Sequence, residues 1–408
     1  MAEESVQSVD FDGEAPFAPA LVRVSHSDLH IFPQDTQIAH QPILGETVQA
    51  SVHDHGGGLA GPGVRLQQGV TLFLNRPGLF AGPAAFALDP ELPEARLALA
   101  TYYYRGFYDY ERALEQLEIA RRQLPSDADV LYFMGLTLRR LGRWDESVAA
   151  FHEATLLDPA NVTTAGELIN TALDAGDLEA GWEASGRLLA RFPDNAVLAA
   201  HTALLYLHGE GDIEGARRAL DAVEPIDEWA YAYAAMETAF FERDFETALA
   251  VISEYGNNFD VVAPGFSTML SGEVLLVAGD AAGAERRLER ARAVLEEEVG
   301  KPYAATYVWP HIPLAMTYAY LGETELALES CRRAQTILPE SKDKVHGVNA
   351  SYYCAFTRAL VGETEVALPE IERLLHTPAG VTRHQLALDP RWDFLRDDPR
   401  FQALVASD

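Results

Sequence analysis

An all-α solenoid of stacked helical hairpins is the fold this sequence predicts, and three observations carry it. Residues 128–161 contain Gly135, Gly142, Trp144, Phe151, Ala154 and Pro159, and a shift of 34 residues places Ile169, Gly176, Leu178, Ser185, Leu188 and Pro193 at the same positions. A period of that length belongs to repeated helix-turn-helix units, each burying its apolar face on the next. Apolar residues follow the helical period, as in Leu131, Met134 and Leu138, then Val148, Phe151 and Leu156. Pro125, Pro159, Pro193, Pro225 and Pro339 stand at the ends of units, where a missing N–H breaks no needed hydrogen bond.

Taken in order, residues 1–60 hold nine acids, the single base Arg23, four prolines and the run Gly56-Gly57-Gly58. That composition predicts a flexible acidic segment with short β-like pieces at Ala20 to Val24 and Thr47 to Val52. Residues 61–93 read as a degenerate helical pair over Leu66 to Leu88, turning at Asn75-Arg76-Pro77-Gly78. From 94 to 375 about eight units stay in register on the small residue of each second helix: Ala113, Ser147, Gly181, Ala216, Ala248, Ala284, Ala327 and Ala367. Five residues before most of them stands a turn glycine, Gly142, Gly176, Gly211, Gly279, Gly322 or Gly362, while Tyr108 and Arg243 take that place in the first and fifth units. A tight turn between antiparallel helices calls for positive φ, which glycine adopts at least steric cost. Longer connections near 256–264 and 300–310 predict a bend or a division of the array. Residues 376–408 form a C-terminal capping segment.

Composition narrows the function classes. The 408 residues carry 62 acids against 31 bases, a formal charge of -31, and such a surface repels the phosphates of nucleic acid and of anionic membranes. Cys331 and Cys354 fall at packing positions of helices and predict buried thiols rather than a disulfide framework. The opening residues MAEESVQSVD lack the apolar core of a secretory signal. No run approaches the roughly 18 apolar residues of a membrane helix. The expectation is a cytoplasmic protein with no nucleic-acid or membrane partner and no cofactor.

The in-register glycines, Trp144, Phe151, Ala154 and Pro159 resemble the tetratricopeptide repeat family over roughly residues 94–375. The tail from Leu388 to Phe401 is similar to the closing segment of repeat regions in bacterial signalling proteins, and would cap the last unit with Trp392, Phe394, Leu395 and Phe401. The resemblance implies a right-handed superhelix whose first helices line a concave groove for a peptide or protein. Its inward positions would be Tyr102, Arg105, Tyr132, Leu136, Arg139, Asn170, His201, His208, Tyr233, Glu237, Phe240, Met269, Trp309, Tyr352 and Phe356. Aromatics at helical spacing serve equally well as core, so each position carries both readings. The clamp that grips chaperone C-termini in this family is not carried: Asn170 matches, but Tyr132, Gly166 and His201 stand where it needs lysine. Arg105, Arg139 and Arg140 offer bidentate geometry to acidic groups, on a ligand or within the chain.

Catalytic signatures are sparse. His53-Asp54-His55, with His26, His30 and His40, collects donors suited to zinc, copper or nickel, but at no known catalytic spacing. Gly56-Gly57-Gly58 lacks the downstream lysine and hydroxyl of a phosphate loop. The acids Glu296-Glu297-Glu298 read as a solvated helix end. The sequence therefore points to a non-enzymatic scaffold binding protein or peptide in its groove. The alternatives are a metal-handling or enzymatic N-terminal segment carried by the repeats, with His53 and His55 as weak ligands, and a self-associating structural subunit.

Overall fold

The computed structural model describes residues 90–406, together with residue 86 and the short stretches 23–24, 49–50, 63–65 and 71–73. β1 (Arg23–Val24) pairs in parallel with β2 (Gln49–Ala50), both within the stretches read as β-like. β3 (Gly63–Arg65) and β4 (Thr71–Phe73) pair antiparallel, with Val64 opposite Leu72. This corrects the helical pair expected over Leu66 to Leu88, because Thr71 to Phe73 are extended. The β-branched Val64, Val70 and Thr71 and the flanking Gly63 and Gly69 disfavour a helix here.

Eight helical hairpins follow in the described chain. They are α1 (Pro93–Phe107) with α2 (Tyr110–Gln123), α3 (Ala128–Arg140) with α4 (Trp144–Leu157), and α5 (Val162–Ala175) with α6 (Leu178–Arg191). Next come α7 (Ala196–Leu204), prolonged by a π-helical turn over Leu205–Glu210, with α8 (Ile213–Asp221), and α9 (Trp229–Phe241) with α10 (Phe245–Glu254). The short α11 (Gly256–Asp260) leads to α12 (Phe266–Val277) and α13 (Ala281–Val299), and a 3-10 turn at Pro302–Ala305 to α14 (His311–Tyr320) and α15 (Thr324–Ile337). The last hairpin is α16 (His346–Leu360) with α17 (Thr364–Leu375). Beyond it lie α18 (Arg383–Leu388), a 3-10 turn over Pro390–Leu395 and α19 (Pro399–Ala406).

One local grammar builds these hairpins. All eight turn residues have positive φ, including Tyr108 at 52° and Arg243 at 63° where glycine is replaced. The next residue is often Asp, whose side chain accepts the first free N–H of the second helix, as Asp177 does from Ala180 N at 3.0 Å and Asp244 from Thr247 N at 3.1 Å. Such a cap is worth about 1 kcal/mol over alanine and fixes where the second helix starts. The small residue of each second helix is buried, which lets the two helices close on each other. From Gly142 to Gly176 the turns are 34 residues apart, but from Gly176 to Gly211 they are 35. The π-helical turn at Leu205–Glu210 absorbs the extra residue without losing register.

By its contacts the chain divides inside α3, between Thr137 and Leu138, and not at either long connection. At the first of these, α11 packs on α9, α10 and α12 and bridges the gap. In the first unit Leu97, Ala100, Ala113, Leu117, Ala120 and Val130 form a core flanked by Tyr103, Tyr104, Phe133 and Met134. In the second unit first helices pack on first helices, α5 on α7, α7 on α9 and α14 on α16, while α6, α13 and α15 pack on the first helix that follows. The first helices thus lie inside the curve. The curve brings distant segments together: Lys344 N donates to Arg140 O at 2.9 Å, and Arg140 Nη1 stands 3.5 Å from Asp343 Oδ1.

Candidate functional site

The inward face of the second unit is not an empty groove. After α17 the chain turns at Ala379, whose N–H donates to the Asp174 carbonyl at the end of α5 at 2.7 Å. It then packs α18 on the π-helical turn that ends α7. Asp393 takes both guanidinium nitrogens of Arg243, at 2.6 and 2.7 Å, at the turn after α9. Trp392 is fully buried, donates to Tyr352 Oη at 3.3 Å and meets Phe356 edge to face at 4.9 Å. Arg400 reaches Glu365 on α17 at 2.5 Å. Residues 379–401 therefore pack on the last hairpin, with Phe394 left exposed, and also run back along the ends of the inner helices of three earlier ones.

Arg391 is the centre of this arrangement. Its Nε bonds Asp389 at 2.7 Å, and around it lie the buried carboxyls of Glu237, Glu273 and Asp389. Burial opposes the charge of Arg391, but Asp389 and Glu273 more than offset that and hold its pKa above the ordinary value. Burial raises the carboxyls of Glu273 and Asp389, with Arg391 working against the rise. Burial would raise Glu237 too, yet His208, at 2.7 Å from Oε2, and Arg391 outweigh it and keep that carboxyl below its usual range. Tyr233 donates to Glu237 at 2.9 Å and Tyr320 donates to Glu273, so burial and these acids push both phenols well above 10. The cluster holds charge in place through hydrogen bonds, which is what an ion network needs when it is out of water.

The positions expected to line a groove separate into four groups. Leu136, Phe240, Met269 and Phe356 are core, the bland alternative for apolar residues at this spacing. Buried Arg139 bonds Glu167 at 2.6 Å and Thr171 at 3.2 Å, and His208, Tyr233, Glu237 and Tyr352 belong to the network around the tail. Trp309 meets His346 at 4.9 Å, Asn170 is half-buried, and half-buried His201 packs against Gly166. Tyr102, Arg105 and Tyr132 lie in the first unit, Arg105 exposed and the two tyrosines half-buried. Sequence reading passed over Glu273, Tyr320, Asp389 and Arg391. The one local signal was Asp389 and Arg391 standing between Leu386-Ala387-Leu388 and Trp392.

The described residues contain no cluster of three or more His, Cys, Asp or Glu able to hold an ion. His53, His55 and the other N-terminal histidines lie outside the described residues. No helix among the described residues is long and apolar enough to cross a membrane.

The tetratricopeptide repeat family model matches residues 128–161, the α3–α4 hairpin with its flanking turns. No curated protein matches the sequence. Solved structures similar to the chain include a tetratricopeptide repeat protein from Parabacteroides merdae, at 14% identity and TM-score 0.40, covering 66% of this chain and 97% of that one. The APC/C hetero-tetramer Cut9-Hcn1 aligns at 13% identity and TM-score 0.46, over 78% of this chain and 62% of that one. Naa15/Naa10 bound to HypK-THB aligns at 14% identity and TM-score 0.29, over 81% and 60%. The chain thus spans about three fifths of the latter two. Residues 128–161 thus carry a tetratricopeptide repeat, and hairpins of the same helix-turn-helix form recur along α1 to α17.

Proposed function

We propose that this protein is a non-enzymatic interaction scaffold whose inner face is divided between two uses. The observation that carries this reading is residues 379–401, held by the inner helices of the second unit. Those helices already grip polypeptide, namely the chain's own tail. Trp392, Phe401, Leu386 and Leu395 are buried there, a gain on the order of 6–12 kcal/mol before ordering costs. A partner bound at micromolar strength gains about 8 kcal/mol in all, so displacing the tail would consume most of its affinity. The tail is accordingly a fixed filling rather than a latch.

Away from the seat of the tail, the first unit offers half-buried Tyr102 and Tyr132 and exposed Arg105. Aromatic rings beside an exposed guanidinium suit the anchoring of a polypeptide, and this is where the partner is placed. Affinity capture with the full-length chain tests it. Tyr102→Ala, Arg105→Glu and Tyr132→Ala together abolish recovery of specific partners, whereas Arg332→Glu on an outer helix leaves it intact. Equal recovery with the triple variant sinks the assignment.

A further inference from the structure

A different surface points outward. Helix α13 exposes Arg286, Arg287 and Arg290, and with Leu275, Asp280 and Gly283 they line a cleft of about 330 Å³ between α12 and α13. In a chain with twice as many acids as bases, arginines generally find carboxylates: Arg143 pairs with Glu146, Arg217 with Glu242 and Arg373 with both Glu340 and Glu370. Among the described residues, Arg286, Arg287 and Arg290 make no hydrogen bond and no ion pair. The helix itself explains why. Arg286 and Arg290 are one turn apart, a like-charge pair that costs a few tenths of a kcal/mol. Glu289, the one acid within reach of Arg286 along the helix, is 2.5 Å from Arg292 instead. Asp280 is occupied as the helix cap, accepting from Gly283 N at 2.9 Å.

We infer that this cleft binds an acidic segment of a partner protein, whose carboxylates supply the counter-charges that the chain itself withholds. Charge complementarity favours carboxylates, which guanidinium groups meet with two parallel hydrogen bonds. Leu275 in the wall and the partly exposed Leu276 beside it give an apolar residue of the segment a place to rest. The overall negative charge does not prevent this, since at physiological salt it is screened beyond about 8 Å while contacts inside the cleft are not. The inference rests on the scaffold reading but uses a surface distinct from Tyr102, Arg105 and Tyr132, so either can fail alone.

The test is fluorescence anisotropy with the full-length chain and a labelled ten-residue peptide rich in Glu with two Leu, at 50 mM salt. Companion peptides carry Gln for Glu, or a single phosphoserine among Gln. The acidic peptide binds the native chain, the Gln peptide does not, and raising the salt weakens binding. Reversing Arg286, Arg287 and Arg290 to Glu lowers affinity at least about tenfold, the sum of three exposed pairs. Arg332→Glu, which also reverses an exposed arginine, changes it little. Because all three arginines are exposed, a thermal melt of the triple variant matches the native one. Three outcomes overturn the inference: no binding by the native chain, equal loss in Arg332→Glu, or binding of the phosphoserine peptide alone.

Discussion

Removal of the Arg391 charge is the sharpest perturbation of the tail. Arg391→Met keeps much of the side-chain volume and leaves the carboxyls of Asp389, Glu273 and Glu237, each no more than 3% exposed, without their shared cation. Breaking a buried ion cluster from one side costs about 3–5 kcal/mol. Repeat arrays do not unfold as one unit, so a global melt would blur that cost. Hydrogen exchange of peptides covering residues 383–406 reads it locally: if opening of the tail controls exchange, rates rise roughly 10²–10³-fold or more. The pH dependence gives a second check. Asp389 and Glu273 already have raised pKa values in the fold, so their neutral forms favour the folded tail below the ordinary carboxylate range, and that contribution fades as pH rises through the raised values. Without Arg391 both values rise further. The variant therefore loses most at pH 8 and recovers toward the native chain as pH falls through those raised values. Arg391→Lys, which keeps a charge but not the fork, falls between the two. A local cost under about 1 kcal/mol at pH 8, or one that does not shrink on acidification, would refute the view that this ion cluster fixes the tail.

Three other outcomes follow from the same geometry. A methyl group at Gly380 would lie 2.1 Å from the Leu374 carbonyl oxygen and 2.7 Å from that of Thr377; since backbone cannot step aside cheaply, Gly380→Ala destabilises the turn into the tail by about 2 kcal/mol or more, and unchanged exchange in 383–406 would contradict this. Burial pushes Asp174 up to about 6 from 3.8, so its share of stability is complete below pH 4 and is lost as pH rises past 6; Asp174→Asn should match the native chain at pH 4 and exceed it by about 1–3 kcal/mol at pH 8, and a less stable variant at pH 8 in urea titrations is the contrary result. Cys331 and Cys354 are each about 1% exposed, so a small alkylating reagent modifies them only under denaturing conditions; rapid labelling of the native chain would show that the α15–α16 packing opens easily.

The hairpins were legible because each rests on residues close in sequence. A positive-φ turn, a capping Asp and a buried small residue recur within a dozen positions, and the grammar holds even where Tyr108 and Arg243 replace glycine. The hairpin β3–β4 was missed because few residues separate its strands and their apolar pattern also fits a helix; Val64 and Thr71 were the discriminating signal. Among the inward positions, Leu136, Phe240 and Phe356 could not be told from groove residues by period alone. A helix presents the same spacing to a groove as to a neighbouring helix.

The course of the tail was illegible for a deeper reason. Arg243 and Asp393 are separated by 150 residues, and nothing local distinguishes Asp393 from the many other acids that could have met that guanidinium. Such a pairing is a consequence of curvature, which is the sum of small rotations between successive hairpins. The 35-residue step absorbed at Leu205–Glu210 is one such contribution, and it lies beneath α18. His208, in that same turn, is the partner of Glu237, which also feels the charge of Arg391. One inserted residue in the fourth hairpin is thus tied to the seat of the tail, so deleting it while keeping His208 tests whether register in the array sets where the tail docks. If residues 383–406 remain as protected from exchange in that deletion as in the native chain, the two are independent.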